Sequence, residues 1–116
     1  MPALLGAALL ALTTLGPFEA PWCGPAKITA YVRGEHSPWT ADGTSIWTPE
    51  RIAAASWDVK LGSVAEIDGL GSFRIADRGH LGNGSPMPWV DVATWSRAEA
   101  FSLTSVRRVC FRRPAP

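Results

Sequence analysis

The run Gly69-Leu70-Gly71-Ser72-Phe73-Arg74-Ile75-Ala76-Asp77-Arg78-Gly79 decides how this chain is read. Its large apolar residues alternate, the period of a strand with one buried face. It ends on an aspartate followed by Arg-Gly. A second run, Asp91-Val92-Ala93-Thr94-Trp95-Ser96, opens on another aspartate after a loop rich in Gly and Pro over 79–88. Two carboxylates at the mouths of neighbouring strands are what cleavage of a sugar bond asks for. The same pair also suits a structural role, with each aspartate capping loop amides and Asp77 pairing with Arg78.

Working outward, Lys27 to Val32 reads as a strand with Ile28, Ala30 and Val32 on one face. Thr40-Ala41-Asp42-Gly43-Thr44 is a turn, because Asp-Gly suits positive backbone dihedrals. Ile52-Ala53-Ala54-Ala55 is a buried strand or a brief helix. Leu61 to Ile67 is a strand, turned at Asp68-Gly69 onto Ser72 to Ala76. Val90 to Ala93 is a further strand. Ser96 to Phe101 predicts a helical turn or two, with Ser96 as N-cap and Glu99 completing a capping box. Val106 to Phe111 closes the chain, with Val109 and Phe111 on one side and Val106, Arg108 and Cys110 on the other. Many short strands and one small helix predict a mostly β, closed barrel, since closure removes the sheet edges that a small domain protects poorly.

The 116 residues make one domain. A net charge of +1 gives no electrostatic case for nucleic acid, and Arg107, Arg108, Arg112 and Arg113 read as a solvated strand edge and tail. The first sixteen residues carry no charged side chain, and Leu4 to Leu15 is almost wholly apolar. That stretch is too short to span a bilayer comfortably and fits the apolar core of an export signal, with an uncleaved anchor or a buried N-terminal segment as the alternatives. Residues 1–20 are therefore expected to be an export segment and 21–116 the domain. A secreted, periplasmic or envelope protein with no stable membrane span after processing follows. Cys23 and Cys110, an even pair in an exported chain, suggest a disulfide joining first strand to last. Two buried free thiols are the alternative.

The ordered pieces Ile28-Thr29-Ala30-Tyr31, Thr40 to Thr44, Ile52 to Ala55, Leu61-Gly62-Ser63-Val64, Ala76-Asp77-Arg78-Gly79, Val90-Asp91-Val92 and Glu99-Ala100-Phe101 resemble a double-psi beta-barrel. Specifically, they resemble the three-aspartate (3D) domain of membrane-bound lytic transglycosylase A and are similar to rare lipoprotein A, over residues 27 to 111. The resemblance implies a six-stranded barrel with one or two short helices. It implies lytic transglycosylase action on peptidoglycan glycan strands, without metal or organic cofactor, giving 1,6-anhydro ends. Where the family has its first aspartate this chain has Ala55. Where the rare-lipoprotein version has a glutamate and a histidine it has Thr44 and Ser56.

On this reading Asp91 is the general acid and Asp77 orients it or holds its proton. Thr29, Tyr31 and Thr44 contact sugar hydroxyls, with Tyr31 alternatively a packed aromatic with a wet hydroxyl, and His80 is a further substrate contact or else a solvent-exposed loop histidine. Of six tryptophans, Trp39 and Trp89 fall in loops near the acids and are expected to wall a groove. Trp57 and Trp95 are expected in the core, and Trp47 is assigned to neither. His36, in the 33–38 loop, has no partner nearby in sequence. No metal-ligand spacing is present, and the chain is expected to act as a monomer. The competing function is a non-catalytic barrel that binds cell-wall glycan or serves as an envelope or virion component.

Overall fold

A computed structural model describes residues 17–79 and 84–115. In chain order the elements are β1 (Trp22–Val32), β2 (Ile52–Ala55), β3 (Val64–Ile67), β4 (Gly71–Arg78), β5 (Trp89–Thr94), α1 (Arg97–Leu103) and β6 (Ser105–Arg112). The strands close into a barrel in the order β1-β5-β2-β4-β3-β6. The fold is thus the small, six-stranded, mostly β barrel with one short helix that the sequence predicts.

The pairing has an internal regularity. β1 runs parallel to β5 and β2 parallel to β4, while β1–β6, β2–β5, β3–β4 and β3–β6 are antiparallel. Exchanging β1 with β4, β2 with β5 and β3 with β6 leaves every one of these pairings unchanged. Each hydrogen-bonded neighbour of β1, β2 or β3 is drawn from β4, β5 and β6.

Inward-facing residues alternate along every strand: Ala26 and Ile28, Ala53 and Ala55, Ala65 and Ile67, Phe73 and Ile75, Val90 and Val92, Val109 and Phe111. They fill the interior, as side chains must in so narrow a barrel. One end is closed by Phe18, Trp22 and Phe111, with ring centroids 5.1 Å and 5.6 Å apart along that series. Phe18 and Ala20 are buried in the core cluster, inside the stretch read as an export segment; residues 1–16 of that segment lie outside the described residues.

Several boundaries differ from the sequence reading, each for a physical reason. β1 begins at Trp22, five residues before Lys27, because its first part pairs only with β6 over Trp22 to Ile28 before β5 joins at Lys27. A strand with one partner tolerates Pro25, whose missing N–H faces away from that partner. β3 begins at Val64, since Gly62 takes a φ of +89° and Leu61 to Ser63 form a turn. Residues 52–55 form a strand rather than a helix. In α1, Ser96 accepts from the Glu99 N–H at 3.2 Å, but the Glu99 carboxylate reaches back to the Trp95 N–H, one residue before the N-cap.

Trp57 and Trp95 are not core residues: they are 65 % and 54 % exposed. The narrow interior is taken by Phe73, Phe111 and aliphatic side chains, and both indoles sit just beyond strand ends. Each instead lies under a guanidinium, Arg78 at 4.9 Å over Trp57 and Arg33 at 4.3 Å over Trp95. Trp47 stacks on Trp95 at 6.4 Å.

Cys23 and Cys110 stand directly opposite in the β1–β6 pair and form a disulfide across 87 positions of sequence. Among the described residues no helix is long and apolar enough to cross a membrane.

Candidate functional site

A single extra residue in β4 builds the site. Ala53 is in register with Ile75, but the next residue, Ala54, is in register with Asp77, so Ala76 is a bulge. Phe73 and Ile75 point into the barrel, and unbroken alternation would send Asp77 in after them. A carboxylate there would lose its hydration with no cation to replace it. The bulge turns Asp77 to the outer surface instead, the re-aiming that bulges commonly perform beside functional sites.

Asp91 needs no such device. It lies between inward-facing Val90 and Val92 and therefore points out. Ala54 is in register with Asp91 on one side and Asp77 on the other, and Asp91 is in register with Thr29. Four adjacent strands thus present Asp77, Ala54, Asp91 and Thr29 in one row on one face. The two acids are not on neighbouring strands as the sequence suggested, because β2 lies between them. Their Cα atoms are two strand spacings apart, roughly 9–10 Å. Nor does Asp91 open its strand; it is the third residue of β5.

The two carboxyls have different surroundings. Asp91 is half-buried, and burial raises its pKa above the ordinary aspartate value. The Thr29 hydroxyl, which donates to Oδ1 at 3.0 Å, and the charge of His36 oppose that rise, while the charge of Asp77 adds to it. Asp77 Oδ1 accepts from the backbone N–H of Ala41 at 3.0 Å and of Arg78 at 2.8 Å. The Arg78 guanidinium turns away to the carbonyls of Ser56 and Val59.

A cavity of about 420 Å³ opens over this row, with Tyr31, His36, Ile46, Ala54, Asp77 and Asp91 in its lining. Tyr31 packs on an apolar patch of Ile46, Ile52, Ala76 and Ala93 outside the barrel. Its hydroxyl is buried without a hydrogen-bond partner. Burial, then the charges of Asp77 and Asp91, outweigh the opposing influence of Arg33 and raise the phenol pKa well above its usual range. Tyr31 therefore presents a neutral O–H to the cavity.

The wall formed by the segment between β1 and β2 is held by two arginines. The buried Arg33 donates to the carbonyls of Ile46 (3.0 Å), Thr48 (2.6 Å) and Glu50 (2.9 Å). Arg74 bonds the carboxylates of Glu50 (2.6 Å) and Asp42 and the hydroxyl of Thr44 (3.0 Å). Burial acts against ionisation of Asp42, but hydrogen bonds from Thr44, Thr40 and Arg74 outweigh it and hold this carboxyl far below the usual range.

Among the residues singled out in sequence, Asp77, Asp91 and Tyr31 come together at the cavity. Thr29 and Trp89 meet Asp91 in a smaller adjoining alcove. Thr44 belongs to the Arg74 cluster rather than to the cavity lining, and Trp39, exposed, bridges to Ser45. His80 lies outside the described residues. Sequence reasoning missed His36, which lines the cavity, and Ala54, which separates the acids. No spacing marks His36, and alanine carries no chemical signal. Among the described residues no group of three or more His, Cys, Asp or Glu is placed to hold a metal ion.

No protein-family model, no curated protein and no solved structure matches this chain.

Proposed function

We propose that the chain cleaves the glycan strands of peptidoglycan in the manner of a lytic transglycosylase, and that its barrel is of the double-psi, three-aspartate type. One observation carries the reading. Asp91 is a carboxyl whose burial favours the protonated form, it is oriented by Thr29, and it sits on an open cavity beside a second aspartate. A carboxyl in that condition donates a proton at a pH where an ordinary aspartate has lost it.

Asp91 protonates the oxygen linking N-acetylmuramic acid to N-acetylglucosamine as the C1–O bond breaks. The muramoyl 6-hydroxyl then bonds to C1, its proton returns to Asp91, and a 1,6-anhydro end results. The charge of Asp77 disfavours ionised Asp91 between turnovers. Tyr31, with a free O–H donor, and Thr29 hold sugar hydroxyls. A cavity of about 420 Å³ lies within the ~300–1,000 Å³ range of small-ligand sites. The disulfide suits an oxidising compartment such as the envelope or exterior.

A second reading, a barrel that binds glycan without cutting it, is favoured by the hydrogen bonds that fix Asp77 to the amides of Ala41 and Arg78. Mass spectrometry of peptidoglycan incubated with the protein separates the two. Anhydro-muramoyl ends that vanish in Asp91→Asn support cleavage. Retention on the polymer with no new ends, at high protein dose, supports binding alone.

A further inference from the structure

Behind Asp91, on the side away from Tyr31, is an alcove of about 90 Å³. It shares Ala54, Gly79 and Asp91 with the main cavity, so the two spaces meet at the Asp91 carboxyl. Its remaining lining is Thr29, Ala55, Ser56 and Trp89. Ser56 is 0 % exposed and its hydroxyl has no hydrogen-bond partner among the described residues. A buried O–H left unpaired costs roughly 1–3 kcal/mol, and such groups ordinarily find a partner. Here the available space is the alcove.

We infer that this alcove receives the acetamido group on C2 of the sugar being cleaved, and that Ser56 sets the requirement for it. The inference rests on the glycan reading above. C2 adjoins the anomeric carbon, so a carboxyl that protonates the anomeric oxygen from the C2 side has the C2 substituent beside it. The alcove is immediately beside Asp91. Its chemistry matches an acetamide end to end: the Ala54 methyl and the Trp89 ring for the acetyl methyl, the Ser56 O–H for the carbonyl oxygen, and Asp91 or Thr29 oxygens for the amide N–H. At about 90 Å³ against about 420 Å³ for the main cavity, it suits a short acyl group.

Glycan strands stripped of peptide, de-N-acetylated and then re-acylated with either acetyl or butyryl groups provide probes of equal charge that differ only in acyl length. Retention of the full chain on each polymer is measured, alongside release of cleaved fragments. The acetyl polymer is expected to be retained at least 10-fold more strongly than the butyryl or de-N-acetylated ones. Ser56→Ala is expected to weaken retention of the acetyl polymer about 2- to 10-fold, the range of one net hydrogen bond. Ser56→Val, which fills the space, is expected to abolish the preference, with thermal unfolding confirming that both variants fold. Equal retention of all three polymers by the native chain, or an unchanged preference in both variants, would overturn the inference. Acetyl-selective, Ser56-dependent retention without cleavage would uphold it while removing the enzymatic reading. Cleavage indifferent to the acyl group would do the reverse.

Discussion

Asp77 and Asp91 stand on the two strands that flank β2, each in register with Ala54. The relationship depends on one bulged alanine, which rotates Asp77 from the inner to the outer surface. Four predictions concern the groups around this row and its cavity, and a fifth concerns the disulfide between β1 and β6.

Asp91→Asn keeps the acceptor for Thr29 and removes the proton. Glycan cleavage should fall about 10²–10⁴-fold, the usual contribution of a general acid, as read by release of anhydro-muramoyl products. Stability gives a second readout. Because the folded pKa of Asp91 is raised, native stability is lost as pH rises through that value and restored as pH falls towards the ordinary aspartate pKa. Asp91→Asn should therefore melt above the native chain at pH 7, with the gap closing on acidification. A native chain that loses more than the variant on raising pH satisfies the test; parallel pH profiles refute it.

Thr29→Val removes the hydrogen bond that opposes the rise in the Asp91 pKa. The titration of Asp91, followed by carboxyl NMR, should move to higher pH. If Asp91 is the acid, the alkaline limb of the cleavage profile should move the same way.

Asp77→Ala leaves the amides of Ala41 and Arg78 without their acceptor. Urea denaturation should show a loss of about 1–3 kcal/mol. Asp77→Asn retains an oxygen in the same place and should lose less. Equal losses would mean that the carboxylate charge, not its hydrogen bonding, supports the fold.

Arg33 joins three carbonyls of the cavity wall while lying over Trp95. Lysine lacks the planar fork that reaches all three. Arg33→Lys should cost at least about 2 kcal/mol and speed amide exchange over residues 46–50 more than in the strands.

Breaking the Cys23–Cys110 bond releases a loop spanning 87 positions. Cys23→Ala with Cys110→Ala should lose about 4–5 kcal/mol in the chain-entropy account, seen as a lower denaturation midpoint without a change in far-ultraviolet dichroism of the folded state.

Alternation made much of the barrel readable. Phe73 with Ile75, and Val109 with Phe111, shared a face in the alternation, and the structure turns both pairs inward. Ser96 and Glu99 marked a helix start. Non-local geometry was hidden. Nothing in Ile75-Ala76-Asp77 announces a bulge, because the extra residue exists only relative to β2. The intervening position of β2 between β4 and β5 is likewise a property of pairing, not of either strand. Tryptophan count pointed to aromatic packing, yet Trp57 and Trp95 went to the surface because ring size, not hydrophobicity, decides entry to so narrow an interior. At the site, the acids and Tyr31 could be named because their chemistry is distinctive. His36 and Ser56 could not be given positions: one lies in the loop after β1 and the other just past β2, and only the pairing of distant strands brings both to the Asp91 face.

The alternation of early and late strands around the barrel bears on how the protein is made. While only the first three strands have left the ribosome, none has a partner with which to form a ladder, and the sole pairing between consecutive strands, β3 with β4, waits for the fourth. Contacts this distant in sequence slow folding. A nascent chain of this design can start its sheet only once β4 has emerged, and the barrel closes only when β6 joins β1 to β3.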